Sequence, residues 1–187
     1  MSKPWLAAFL LMMTLALPFH TQSAHADEFA DAVATFHQAE AAQPFFNNAY
    51  GYAIFPTVGK GGIGIGGAYG EGRVYRGGNY VGDVSLVQLT IGFQLGGQAF
   101  SELIFFENKE AFDWFTNGSF SFDAQASAVA IAVGAGAQAG TTGAGANVAQ
   151  QYRKAAYING VAVFSIQKGG LMYEASLGGQ KFTYHGK

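Results

Sequence analysis

Two hydrophobic periods divide the chain. From Asp27 to Tyr50 the apolar positions Phe29, Ala32, Val33 and Phe36 recur at the spacing of one helix face. Asp27 and Glu28 place negative charge where a helix N-terminus favours it. Pro44 then interrupts, and Phe45, Phe46, Ala49 and Tyr50 follow as a second short helical turn, with Pro44 at its permitted first position. The pattern predicts a helix over 28–42 and a shorter one over 44–50.

From Gly51 the period becomes two. In Val87–Gly96 every odd position is large and apolar and every even one is polar or glycine, which predicts a strand with its odd face on a core. Similar alternation marks Gly62–Gly66, Val129–Gly134 and Leu171–Leu177, and Tyr52–Phe55, Val161–Ile166 and Lys181–Tyr184 are further strand candidates. Gly77-Gly78-Asn79, Lys168-Gly169-Gly170 and Gly178-Gly179 read as turns between them. One helix interrupts the strands: Asn108 is a good N-cap, Ala111, Phe112 and Phe115 share a face, and Gly118 stands where a C-terminal cap belongs. Tyr152–Tyr157 fits either a helical turn or a loop. Gly134–Gly145 fits either a loop or a strand end where backbones pack closely. All 27 glycines lie at residue 51 or beyond. Glycine on one face of successive strands suits tight curvature. The fold class is therefore α+β: a glycine-rich, mainly antiparallel curved sheet or barrel-like β domain with N-terminal helices and one internal helix.

The first residues change the domain picture. Lys3 precedes an apolar run from Trp5 to Leu17, Pro18 breaks it, and Ala24-His25-Ala26 closes the segment with small residues. That order marks a cleaved secretory signal over 1–26. A membrane anchor needs roughly 20 apolar residues, and this run is shorter. Residues 27–187 then form a single domain, with 27–50 as helical lead-in and 51–187 as β-rich body, in the periplasm or secreted.

Composition mainly excludes. The chain carries a net charge of −2 and loses a further cation with Lys3, so it lacks the concentrated basic face that nucleic acid requires. With no cysteine there is neither a disulfide nor a thiolate metal site. Gly62-Ile63-Gly64-Ile65-Gly66-Gly67 matches G-x-G-x-x-G, but Ala68-Tyr69-Gly70-Glu71-Gly72 follows where a dinucleotide fingerprint must open a helix. Gly59-Lys60 lacks the first glycine and the Ser or Thr of a phosphate loop. Beyond the signal only His37 and His185 remain, far apart and without carboxylates at ligand spacing, so no metal and no cofactor is expected. Glu102, Glu107, Glu110 and Asp113 gather around the internal helix and read as its solvated face. Asn117-Gly118-Ser119 is a glycosylation sequon, meaningful only in a eukaryotic secretory route. There is no G-x-S-x-G elbow, and no catalytic residue is assigned. What stands out is the stock of aromatic side chains, 17 Phe, 9 Tyr and 2 Trp, beyond what a small core readily absorbs.

The segment Ala49-Tyr50-Gly51-Tyr52-Ala53-Ile54-Phe55-Pro56-Thr57-Val58-Gly59-Lys60-Gly61-Gly62 resembles the signature of the SYLF-domain family, and Tyr69-Gly70-Glu71-Gly72 supplies its continuation. Leu86–Gln98, Phe105–Ala111 and Lys168–Leu177 agree in order with the family's later marks. The resemblance implies a lipid-binding module. Eukaryotic members associate with phosphoinositide membranes, and fungal ones are described as actin regulators. Their membrane-binding segment is a basic amphipathic helix, whereas Asp27–Gln43 contains no Lys or Arg. An exported chain also meets neither actin nor phosphoinositides. The expected function is thus a non-enzymatic, lipid- or amphiphile-binding protein of the cell envelope. Lys60, Arg73, Arg76 and Lys168 are its candidate phosphate-holding cations, with close backbone approach at Gly61, Gly62, Gly169 and Gly170. A structural protein that pairs with an envelope partner through strand edges is the alternative.

Overall fold

A computed structural model describes residues 21–63, 65–91, 98–122, 129–131, 156–168 and 179–187. In chain order the elements are α1 (Thr21–His37), α2 (Gln43–Asn48), β1 (Gly51–Ile63), β2 (Ile65–Arg76), β3 (Asn79–Ile91), β4 (Gln98–Phe106), α3 (Lys109–Thr116), β5 (Ser119–Ser121), β6 (Val129–Ile131), β7 (Val161–Gln167) and β8 (Gln180–Gly186). The strands form one eight-stranded sheet in the order β5-β8-β3-β2-β1-β4-β7-β6. Every described pairing is antiparallel except β6 with β7. The expected α+β class and curved antiparallel sheet are what the chain adopts.

The sheet is covered unequally, and this decides which strands alternate. Over β1, β4 and β7 the outer face carries α1 and α2: Phe29, Phe36, Ala42 and Phe45 pack on Ile54, Leu103, Phe105, Phe164 and Ile166. The inner face of the same strands belongs to a second core with Phe55, Phe100, Ile104 and Phe106. Strands buried on both sides read as unbroken apolar runs, as Leu103-Ile104-Phe105-Phe106 does. On β2, β3 and β8 the inner face is buried while the outer face is covered only in part, by Phe29 over Arg73 and Tyr52 against Tyr75 on β2, so burial alternates.

The sheet curls around that inner core. Phe115 of α3 lies 4.7 Å from the Phe106 ring on β4 and 5.3 Å from Phe182 on β8, with three strands between β4 and β8 in the sheet. Phe55 of β1 reaches Phe182 at 5.7 Å across the same hollow. Aromatic side chains fill the interior at the end that α3 occupies.

Several boundaries differ from expectation. The alternation of Gly62–Gly66 predicts one strand, but Ile63 pairs with Ile65, so the segment is the tip where β1 passes into β2. β1 extends far beyond Phe55 because the register shifts around Pro56, where a residue with no N–H is tolerated. The first helix begins at Thr21, before the expected cleavage point, and ends at His37 rather than 42. The chain then tightens into i→i−3 turns at Ala39, Ala42 and Gln43, while the Gln43 side-chain amide donates to the His37 carbonyl that the helix end leaves open. α3 behaves as read: Asn108 accepts from the Ala111 N–H at 3.0 Å, and Gly118 takes φ +96° just beyond its end. The predicted strand 171–177, the Gly134–Gly145 run and residues 152–155 lie outside the described residues.

Candidate functional site

The four candidate cations do not converge. Arg73 and Arg76 lie on β2 near the Gly77–Gly78 turn, whereas Lys60 and Lys168 lie toward the opposite end of the sheet. Arg73 stacks its guanidinium 4.3 Å from the Phe29 ring of α1 and 5.4 Å from Tyr80, and stands 3.9 Å from Asp83. Lys168 donates to Thr57 Oγ1 at 2.7 Å and lies 3.9 Å from Glu28 Oε1; Thr57 also donates to Glu28 at 2.8 Å. These two cations pin α1 to the sheet. Arg76 is exposed, 5.9 Å from the Phe112 ring. Lys60 is half-buried on the inner side of β1, opposite Ala68 and Gln98, and takes part in no ion pair among the described residues. Gly61 and Gly62 follow it to the β1–β2 tip; Gly169 and Gly170 lie outside the described residues.

The second half of α1 forms the wall of two open clefts, each of about 400 Å³. One runs between Asp31, Thr35 and Lys168; the other runs from Glu28 past Thr57 and Gly59 to Tyr69. Where the second cleft ends, the outer face of β2 and β3 turns apolar. Tyr69, Val87 and Leu89 are 54 %, 47 % and 76 % exposed. Tyr69 and Val87 are register partners, and Leu89 is the next outward residue, opposite Gly67. The exposed Lys181 stands beside Val87 on β8, and Tyr69 donates to Glu71 at 2.8 Å.

This strip reverses the facing expected for β3. The odd residues Val87 and Leu89 face outward, while Leu86 and Gln88 are buried. The cause lies inside the curl. At this end the interior is polar: Gln88, Gln180, Glu102 and Ser165 are all buried. A glutamine on β3 suits such surroundings, and α1 and α2 do not extend over β3 to cover the odd face.

Glu102 also departs from its expected role. It belongs to β4, is completely buried, and does not join Glu107, Glu110 and Asp113, which are exposed around α3. Gln180 Nε2 donates to its Oε2 at 3.0 Å, while Glu102 Oε1, Gln180 Oε1 and Ser165 Oγ have no hydrogen-bond partner among the described residues. Burial raises the Glu102 carboxyl from 4.5 to about 7, against the smaller lowering effect of the Gln180 bond. A carboxylate between Ser101 and Leu103, in a strand otherwise apolar toward its end, is the signal that sequence reading passed over. Among the described residues there is no group of three or more acidic or histidine side chains placed to hold a metal. No helix among them is long and apolar enough to cross a membrane.

No curated protein matches the chain. Over residues 87–186, from the middle of β3 through β8, it matches the model of the Ysc84 family, described as Las17-binding protein actin regulator. That span holds the outward Val87 and Leu89, the buried Glu102 and Gln180, and α3, and the chain belongs to the Ysc84 family, the SYLF family its sequence resembles.

Proposed function

We propose that the chain is an exported, non-enzymatic domain of the cell envelope that binds lipid or another amphiphile through the outer face of β2 and β3. The observation that carries this reading is the Tyr69–Val87–Leu89 strip: three large apolar side chains held outward by a rigid, paired sheet. Gly59 and Gly67 beside them keep the surface low, and Lys181 supplies a cation for an anionic headgroup. Burying the exposed parts of these side chains yields on the order of 4 kcal/mol, which corresponds to a dissociation constant of about 1 mM. Association is therefore peripheral and reversible. Export is supported by the sequence pattern of Lys3, the apolar run from Trp5 to Leu17 and the small residues of Ala24-His25-Ala26. Actin is left out of this reading because an exported chain does not meet it.

Flotation with phosphatidylcholine vesicles and with phosphatidylglycerol vesicles, at millimolar lipid, tests the reading. The protein floats with both, more with the anionic vesicles, and the double variant Leu89→Asp, Val87→Thr stays at the bottom while keeping its melting temperature. A wild type that floats with neither, or a variant that floats as well as the wild type, overturns it.

A further inference from the structure

We propose that Glu102 and Gln180 form a proton-operated latch across the interior of the curl: with its proton Glu102 ties β4 to β8, and without it β8 and its neighbour β5 loosen. The geometry sets this pair apart from the rest of the hydrogen bonding. Between β4 and β8 the sheet holds β1, β2 and β3, so the Gln180 Nε2 to Glu102 Oε2 bond is not a ladder contact but a strut through the hollow.

The atoms left without partners say what completes it. Glu102 Oε1 and Gln180 Oε1 are both buried acceptors that lack a donor. One proton on Glu102 Oε1 supplies both deficits. The acid O–H donates to the amide oxygen while the amide N–H already donates to the acid carbonyl, giving a cyclic acid–amide pair. Take the proton away and two buried oxygens lose their donor, one of them on a charge that water cannot reach.

Among the described residues, the inward neighbours supply the ionised form no counter-charge. From β1 the inward residues are Phe55 and Val58; from β4 itself, Phe100 and Ile104; from β7, Val163 and Ser165; from β8, Phe182; from β3, Leu86 and Gln88. Ser165, the register partner of Glu102, makes no hydrogen bond to it. α3 brings Phe112 and Phe115 inward and keeps Lys109, Glu110 and Asp113 in solvent. Phe120 and Phe122 close the β5 side. The inward-facing cation is Lys60, beyond Val58 on β1, and it makes no ion pair with Glu102. Burial is accordingly the dominant influence on the carboxyl, which is held near 7, and the Gln180 bond is the sole opposing one.

The strand that yields is β8. β4 sits between β1 and β7, whereas β8 has β3 on one side and the 3-residue β5 on the other. Releasing the strut costs β8 its tie through the core, and among the described residues its outer neighbour holds it by three register pairs and two flanking backbone hydrogen bonds, Phe122 N–H to the Gln180 carbonyl and Tyr184 N–H to the Gly118 carbonyl.

The test joins two measurements on the wild-type protein with one variant. Carbon-13 NMR of labelled Glu side chains follows the Glu102 carboxyl, and amide hydrogen exchange follows Lys181 and Phe182 in β8, from about pH 5 to about pH 8. The expected results are a carboxyl midpoint near 7 and a loss of β8 protection, roughly tenfold or more beyond the intrinsic pH effect, that builds up as pH rises toward that midpoint and levels off above it. Glu102→Gln keeps an amide in place of the acid and shows no such loss. A midpoint below about 5, β8 protection that ignores the ionisation of Glu102, or a Glu102→Gln protein that loosens like the wild type overturns the latch. Should that variant not fold, the two wild-type measurements decide the matter together.

Discussion

A carboxyl raised from 4.5 to about 7 binds its proton more tightly in the folded chain than in the unfolded one. Between those values the folded state holds more protons, so stability declines as pH rises, with a total on the order of 3 kcal/mol. Below the unfolded value this contribution is fully present; above the folded one it is gone. The urea midpoint should thus be lower at pH 8 than at pH 5 by an amount that Glu102→Gln abolishes. Space is equally restrictive at Gly72. A Cβ there would lie 2.6 Å from the Phe55 ring and 2.9 Å from the Ile54 carbonyl oxygen. The ring is itself packed against Phe182 and cannot swing clear, so the strands must part. Gly72→Ala should cost about 1–3 kcal/mol in denaturant unfolding, the usual range for overpacking. A neutral result would mean that β1 and β2 shift more easily than their pairing suggests.

Single elements show what kind of information a sequence carries. α3 is legible because its determinants are local. Asn108 caps it, Ala111, Phe112 and Phe115 form its buried face, and Gly118 takes the positive φ that ends it. Asn108→Ala removes the acceptor for the Ala111 N–H and should lower stability by about 1 kcal/mol in thermal or urea unfolding, with Asn108→Asp restoring it. β3 is legible as a strand but not in its facing. Its alternation is clear, yet both sets of side chains suit some surface, and the choice depends on Glu102 and Gln180, which lie on other strands. Arg73 and Lys168 are a similar case. Their neighbouring glycines suggest phosphate-holding cations, while α1, distant in sequence, supplies Phe29 and Glu28 as their partners. The Pro56 irregularity was hidden for the same reason: only the pairing with β2 and β4 shows that the strand continues past it.

At the scale of the whole molecule, the sheet is closed from both sides by segments that precede and interrupt it, and this makes its dependence on α1 and α2 calculable. The aromatic surplus is largely absorbed by two cores rather than by one cavity, and the outer of the two exists only while the helices cover it. Removing them uncovers Ile54, Leu103, Phe105, Phe164 and Ile166, each now fully or almost fully buried. At roughly 1.5–3 kcal/mol per side chain the loss is about 10 kcal/mol, as large as the entire stability of a typical domain. Cleavage after Ala26 leaves in place the described anchors of α1, Glu28 on Thr57 and Lys168 and Phe29 under Arg73. A chain beginning at Asp27 should therefore melt in one cooperative transition, and a chain beginning at Gly51 should fail to fold or should aggregate through the bared face. Circular dichroism melting and light scattering on the two chains check this. If the Gly51 chain stayed monomeric and melted like the longer one, the outer core would contribute little, and the pinning of α1 by Arg73 and Lys168 would be a surface detail rather than a support of the fold.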